Sequence, residues 1–454
     1  MNYDILKFIT YKELNNKWDI KGHQLSKISS KYPIKKLENF IIERKDKIKL
    51  SDKPNEKFGI LGISNEVGMF DAYEEYGKNI KQKYKIVAEN YIAYNPYRVN
   101  VGSIGIKNKK LKNLYISPAY VVFSCKEQLL PEYLFILMKS SIFNKLVKEN
   151  TTGSVRQTLS FSNLSKISIP IPSLEKQNNI VKKFYERLKE VSLMEEKGKK
   201  TEVEIENFLF EELKIKKFLN EDTNNSLLRV IKFNRMLKWD VRLNLNKISP
   251  KIMFNSEKYE NISLTSVCKI NPITKFSKEV NEITFLPMES VSEVYGEIET
   301  YKSGDVTKSK GYTKFQENDI LWAKITPCME NGKCVIAKKL LNGYGYGSTE
   351  FHVFRVNEKI IPEYLYIFLR TKFLRNVAKC YFSGSVGQQR VGVEFLENLT
   401  IPILPIDSID DKVLTQKKLV NKIFCEKEKI KYYYTEAKRI KNKANSDLEN
   451  EIFM

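Results

Sequence analysis

Arg98, Asn100 and Ser103 stand together in the run Tyr97-Arg98-Val99-Asn100-Val101-Gly102-Ser103. They offer a guanidinium, an amide and a hydroxyl beside a glycine that lets the backbone approach a phosphate or a base edge. The same run also reads as a plain loop leading into a strand. Lys107, Lys109 and Lys110 make Lys107-Asn108-Lys109-Lys110 a basic loop, suited to a phosphate or simply solvated. In Trp322-Ala323-Lys324-Ile325-Thr326-Pro327 the favoured polar contacts are Lys324 and Thr326, with Trp322 assigned to the core. Tyr344 and Tyr346, in Gly343-Tyr344-Gly345-Tyr346-Gly347-Ser348-Thr349, could present aromatic and hydroxyl groups on a flexible backbone or sit at a hairpin tip. Arg156 and Gln157 follow one Gly-Ser pair, and Gln388, Gln389 and Arg390 follow another. Arginine pairs with guanine and glutamine with adenine in the major groove.

Other chemistries lack material. Lys and Arg number 77 against 55 Asp and Glu, a net charge of +22 in a chain that is 42% hydrophobic, which favours a folded protein with a polyanionic partner. Two histidines and six scattered cysteines without a CxxC pair leave little for zinc sites or histidine acid/base pairs. An adenine methyltransferase needs Asn/Asp-Pro-Pro-aromatic, and Asn95-Pro96-Tyr97 and Asn271-Pro272-Ile273 both lack the second proline. A Walker loop is absent. Glu66, Asp71, Glu74 and Glu75 are the acids from which a metal-dependent nuclease site could be drawn. No apolar run approaches the roughly 18 residues of a membrane span, and the first residues do not read as a signal peptide, so a cytoplasmic location is expected.

The elements that must position these residues come from an internal repeat. Lys17-Trp18-Asp19 returns as Lys238-Trp239-Asp240, and Leu129 to Leu137 returns as Ile360 to Phe368 at an offset of 231. Gly153-Ser154-Val155 matches Gly384-Ser385-Val386, and Ile169-Pro170-Ile171-Pro172 matches Ile401-Pro402-Ile403-Leu404-Pro405. Each half runs through short β-rich segments, a helix opening at Pro131 or Pro362, the Ile-Pro strand, and a long Lys/Glu-rich helix, from 173 to about 217 and from about 408 to 453. In the second helix Val413, Val420, Ile423, Ile430, Tyr434, Ala437, Ala444 and Leu448 take heptad a and d positions, interrupted by Lys427 and Lys441. In the first the stripe weakens around Gly198. Helices of this length need a partner, and the economical one is each other, antiparallel.

These ordered motifs, with Leu174-Glu175-Lys176-Gln177 at the first helix start, resemble the specificity subunits of type I restriction-modification systems. Two departures stand out: Lys176 precedes Gln177 where the family has Glu, and extra residues precede Gln416. The resemblance implies an α+β protein: two tandem α/β target-recognition domains (1–172 and 223–405), joined and separated by two long antiparallel helices (173–222 and 406–454), a pseudo-two-fold dumbbell. It implies a non-catalytic reader of a bipartite, asymmetric sequence in double-stranded DNA. That reader recruits two modification subunits, which methylate adenine N6 with S-adenosylmethionine, and motor-nuclease subunits can join. The chain itself is expected to bind no cofactor and no metal. The competing readings are a type IIG-like or metal-dependent nuclease and a non-catalytic coiled-coil scaffold for nucleic acid.

Overall fold

The computed structural model describes residues 28–65, 67–99, 102–150, 158–216, 249–385 and 387–454. The chain divides into two compact units, Met1–Leu193 with Glu436–Met454, and Met194–Thr435. Trp18, Trp239 and the first Gly-Ser copy lie outside the described residues.

Each unit is built on the same antiparallel four-stranded sheet. In the first unit the order is Ile41–Glu43, Val121–Cys125, Ile92–Tyr94, Ile104–Ile106; in the second it is Cys268–Ile270, Phe351–Val356, Ile320–Ala323, Cys334–Ile336. The inner strands are short apolar runs buried on both faces, so they lack strict alternation. The helices Pro131–Met138 and Pro362–Arg370 start at the prolines, whose missing N–H costs nothing in a first turn.

A second sheet sits beside each of these and again shares its topology. In the second unit Tyr344–Gly347 runs parallel to Glu282–Leu286 and antiparallel to Thr313–Gln316, with Lys302–Asp305 outside Glu282–Leu286. In the first unit Tyr115–Ile116 runs parallel to Lys57–Ser64 and antiparallel to Tyr84–Ile86, with Gly68–Tyr76 beyond; the pair Lys47–Ile48 is added at the other edge. Tyr344 and Tyr346 therefore occupy an interior strand rather than a hairpin tip. Their glycines are what the packing requires: a Cβ at Gly345 would enter the Phe315 ring, and one at Gly347 would strike the Leu286 carbonyl.

The Ile-Pro segments are two-stranded edges, where a missing N–H is tolerated: Ser168–Pro170 pairs with Ile34–Lys36, and Thr400–Pro402 with Asn261–Ser263. A buried tyrosine hydroxyl ties each to its unit, Tyr133 donating to the Pro170 carbonyl at 3.0 Å and Tyr364 to the Pro402 carbonyl at 2.9 Å.

The long helices run Leu174–Glu212 and Gln416–Phe453. The first ends before 217 because Lys214 turns left-handed (φ 51°) and the Ile215 amide closes back on the Phe210 carbonyl. The second starts at Gln416, and Val413 precedes it. Ser408 and Asp410 capture the amides of Asp410 and Lys412, and such local bonds compete with helix. Within each unit the two helices pack antiparallel. Lys176 meets Glu451 and Arg187 meets Asp447 in the first; Glu202 meets Tyr434 and Glu212 meets Lys422 in the second. Val420, Ile423, Ile430, Ala437, Ala444 and Leu448 are buried as the heptad required. At Gly198 the seam closes rather than weakens, because a Cβ there would lie 2.9 Å from the Tyr434 ring. No helix among the described residues is long and apolar enough to cross a membrane.

Candidate nucleic-acid interface

In the first unit the strands Ile92–Tyr94 and Ile104–Ile106 are joined by a loop held by its own backbone. Asn95 donates to the Ser103 carbonyl, Ser103 to that of Arg98, and Arg98 to that of Asn95, at 3.0–3.1 Å. This fixes the Arg98 backbone and leaves its side chain exposed beside the exposed Tyr97, while Ser103 turns inward and is buried. Asn100, Arg156 and Gln157 lie outside the described residues. Lys107 is not part of a solvated basic loop: it is buried, its main chain pairs with Asn90 and Tyr91, and burial lowers its pKa. Lys109 and Lys110 are exposed on the turn that follows, with Lys109 3.9 Å from Glu89.

In the second unit the equivalent strand exit gathers candidates far apart in sequence. The Val391 amide donates to the Lys324 carbonyl and the Thr326 amide to the Gln389 carbonyl, both at 3.0 Å, so the Gly-Ser hairpin Phe382–Val391 is laid along the Lys324–Thr326 segment. The first unit repeats the joint, Leu159 N–H to the Pro96 carbonyl at 3.0 Å. Lys324, Thr326, Gln388, Gln389 and Arg390 thus form one patch. Gln388 is exposed, and the Thr326 hydroxyl donates to Glu330. Arg390 is held: its Nε and Nη2 bind Glu350 at 2.9 and 2.7 Å, and its Nη1 donates to the Gln388 carbonyl. The Arg390 guanidinium keeps the Glu350 carboxyl below its usual range.

Tyr344 and Tyr346 are apart from that patch. Tyr346 is buried in a cluster with Phe285 and Tyr312, and Tyr344 packs edge-on to Phe276. A groove of about 550 Å³ is lined by Asn271, Ile273, Lys275, Tyr312, Lys314 and Lys324, among others. Of these only Lys324 is a contact candidate in the sequence, where Asn271 and Ile273 figure only in an incomplete catalytic motif. The rest come from segments about forty residues apart, and no spacing rule joins them.

Asn271 shapes the groove's rim from a left-handed backbone (φ 51°). Its Oδ1 accepts the Val353 amide at 3.0 Å and its Nδ2 lies 3.0 Å from His352 Nδ1. His352 Nε2 is 2.9 Å from the Val391 carbonyl, so that nitrogen carries the proton and Nδ1 accepts. Burial holds this imidazole below its ordinary value, stacked on the fully buried Trp322.

Two of the four acids from which a nuclease site could be drawn are otherwise engaged, and Glu74 is exposed. Asp71 accepts the Lys112 and Asn113 amides, and Glu75 binds Asn79 and the Tyr76 amide. Glu66 lies outside the described residues. Among the described residues no group of three His, Cys, Asp or Glu is placed to hold a metal.

The chain is 38% identical over 153 residues to the type I restriction enzyme EcoEI specificity subunit of Escherichia coli, and 40% identical over 152 residues to the EcoAI specificity subunit of the same organism. Each match spans 33% of this chain and about a quarter of the relative's length. In fold it is similar to a chain from a solved type I R-M system studied for complex assembly and conformational transition, with TM-score 0.52 at 16% identity over 94% of this chain and 98% of that one. The family model for the type I restriction modification DNA specificity domain matches twice, at 29–204 and 256–432, one copy on each repeated sheet pair, and the chain therefore belongs to that family.

Proposed function

We propose that this chain is the DNA-reading subunit of a type I restriction-modification complex. It binds a bipartite, asymmetric target in double-stranded DNA and recruits two adenine-N6 methyltransferase subunits; motor-nuclease subunits join to cleave unmodified DNA. The chain performs no catalysis of its own, S-adenosylmethionine belongs to its partners, and the complex works in the cytoplasm. Each unit reads one half-site, and the long helices set the spacer between them.

One observation carries the reading. Two units with the same sheet topology and the same strand-exit joint present different side chains there: Arg98 with Tyr97 in one, Lys324 with Thr326 and Gln388 in the other. A shared scaffold with divergent contact residues is what two readers of different half-sites require. The basic charge of +22 supplies the phosphate attraction.

The experiment is to express the chain with and without its methyltransferase partner and map N6-methyladenine by single-molecule sequencing. A bipartite motif that appears only with both proteins supports the reading. Methylation or cleavage by this chain alone would sink it, and a stable complex that marks no motif would favour the scaffold.

A further inference from the structure

Ile273 is 87% exposed, and its place in the groove sets it apart from a stray surface apolar residue. The residues on both sides of it are fixed. Asn271 is tied to Val353 and His352, while the Thr274 hydroxyl bonds the Lys314 carbonyl and receives Arg355, itself clamped in two bonds on the buried Asp319. The loop therefore holds an apolar side chain in water on a stiff mount.

Its surroundings are cationic. Lys275, Lys314 and Lys324 share the groove, and among the described residues none of the three has a carboxylate within salt-bridge distance. Ile409 is more exposed still, at 105%, but it stands between Asp407, Asp410 and Asp411, which would repel a polyanion. The first unit has no counterpart: Arg44 takes the Asn271 position, its amide bonding Val122 as that of Asn271 bonds Val353, and Lys45-Asp46 follows where Pro272-Ile273 stands.

The geometry points to Ile273 as a specificity-determining contact of the second unit, one that packs on the 5-methyl group of a thymine in the major groove while Lys275, Lys314 and Lys324 take the flanking phosphates. Only thymine offers an apolar group on that edge, so a fixed isoleucine there discriminates without a hydrogen bond. The inference rests on the DNA-reading function proposed above.

The test uses the full chain with its methyltransferase partners and duplexes carrying the mapped target, in which each thymine of the second half-site is replaced singly by uracil. Uracil pairs as thymine does and lacks only the methyl. One position is expected to cost the wild type about fourfold in affinity, the worth of a buried methyl group. Ile273→Ala is expected to lose that much on the thymine duplex and nothing more on the uracil duplex. Its melting temperature should not change, since the side chain makes little of the core. Silence at every uracil position, or an Ile273→Ala variant that keeps the full uracil penalty, overturns the inference. So does a variant that loses affinity equally on both duplexes while the wild type ignores uracil, which would mark Ile273 as a stacking wedge. A complex that bound every duplex alike would overturn the DNA-reading function as well.

Discussion

Gln416 holds in the second unit the place that Gln177 holds in the first. Gln177 Oε1 accepts the Leu130 amide at 2.8 Å and its Nε2 donates to the Gln128 and Pro172 carbonyls; Gln416 Oε1 accepts the Ile361 amide at 2.9 Å and its Nε2 donates to the Lys359 and Leu404 carbonyls. Both side chains are fully buried. The offset between the copies is 232 residues from Pro170 to Pro402 and 239 from Gln177 to Gln416, so the extra seven residues are looped out and the joint is kept.

Gln177→Ala leaves one amide and two carbonyls without partners, at a cost of roughly 3 kcal/mol. Hydrogen exchange is the direct check: the Leu130 amide should lose its protection while the exposed Lys110 amide changes little. Gln177→Glu should be worse, since a carboxylate oxygen would face the two carbonyls. A Leu130 amide as slow as in the wild type would show that the joint is not fixed by this side chain.

Arg390 is clamped on Glu350, so under the proposed function it would reach DNA only once released. Glu350→Gln should loosen it and add a cation to the interface, steepening the dependence of log affinity on log salt by roughly 0.9 for one more phosphate. An unchanged slope in a salt titration would leave Arg390 with a structural task only. Because Arg390 lowers the Glu350 pKa below its ordinary 4.5, the pair contributes stability above that value, lost as pH falls through the folded pKa.

His352 is a second pH-linked group. Its folded pKa lies below the ordinary 6.5, so its contribution is complete above about that pH and drains away as acid is added. Protonation of Nδ1 also ends its role as acceptor for Asn271. Thermal unfolding followed through the buried Trp322 should show falling stability below pH 6.5, and His352→Gln should flatten that segment of the profile.

Lys427 interrupts the heptad seam. Its stem stays partly exposed, while its ammonium reaches the Tyr366 hydroxyl at 2.7 Å and, among the described residues, bonds no carboxylate; burial pushes its pKa down to about 7. A lysine with a lowered folded pKa adds stability as pH rises from about 7 toward its ordinary 10.5. Lys427→Met should remove that slope and stabilise the protein at pH 7 by roughly 1–2 kcal/mol. Urea midpoints at pH 7 and 9.5 for both proteins decide it.

If the helix pair sets the spacer, removing one heptad from each long helix shortens it by about 10 Å, at 1.5 Å per residue. That is about three base pairs, at roughly 3.4 Å per step. Methylation maps should then report a spacer reduced by about that amount, and an unaltered spacer would defeat the ruler.

The sequence made the repeat, the two proline helix starts, the Ile-Pro strands and the long helices legible, because each depends on local signals of periodicity and punctuation. Helix ends were less so, since the Lys214 turn and the Ser408–Asp410 bonds are side-chain and dihedral events without a periodic mark. Of the candidate interface, Arg98 and the Lys324–Arg390 patch are nominated by residue type alone, and the burial of Ser103 and Lys107 was not legible. Nor could the groove. Asn271-Pro272-Ile273 looked like a failed catalytic motif, and only the strand pairing that brings Lys314 to it gives it another meaning.

The joints at Gln177, Gln416, Tyr133 and Tyr364 share a property: among the described residues every side-chain bond they make ends on a main-chain atom. A carbonyl or amide is the same whatever residue carries it. Inheritance therefore need preserve only the glutamine and the tyrosine of each half, and their neighbours are at liberty to drift. Two descendants of one duplicated segment can in this way keep a common frame while the faces they show to a ligand grow steadily less alike.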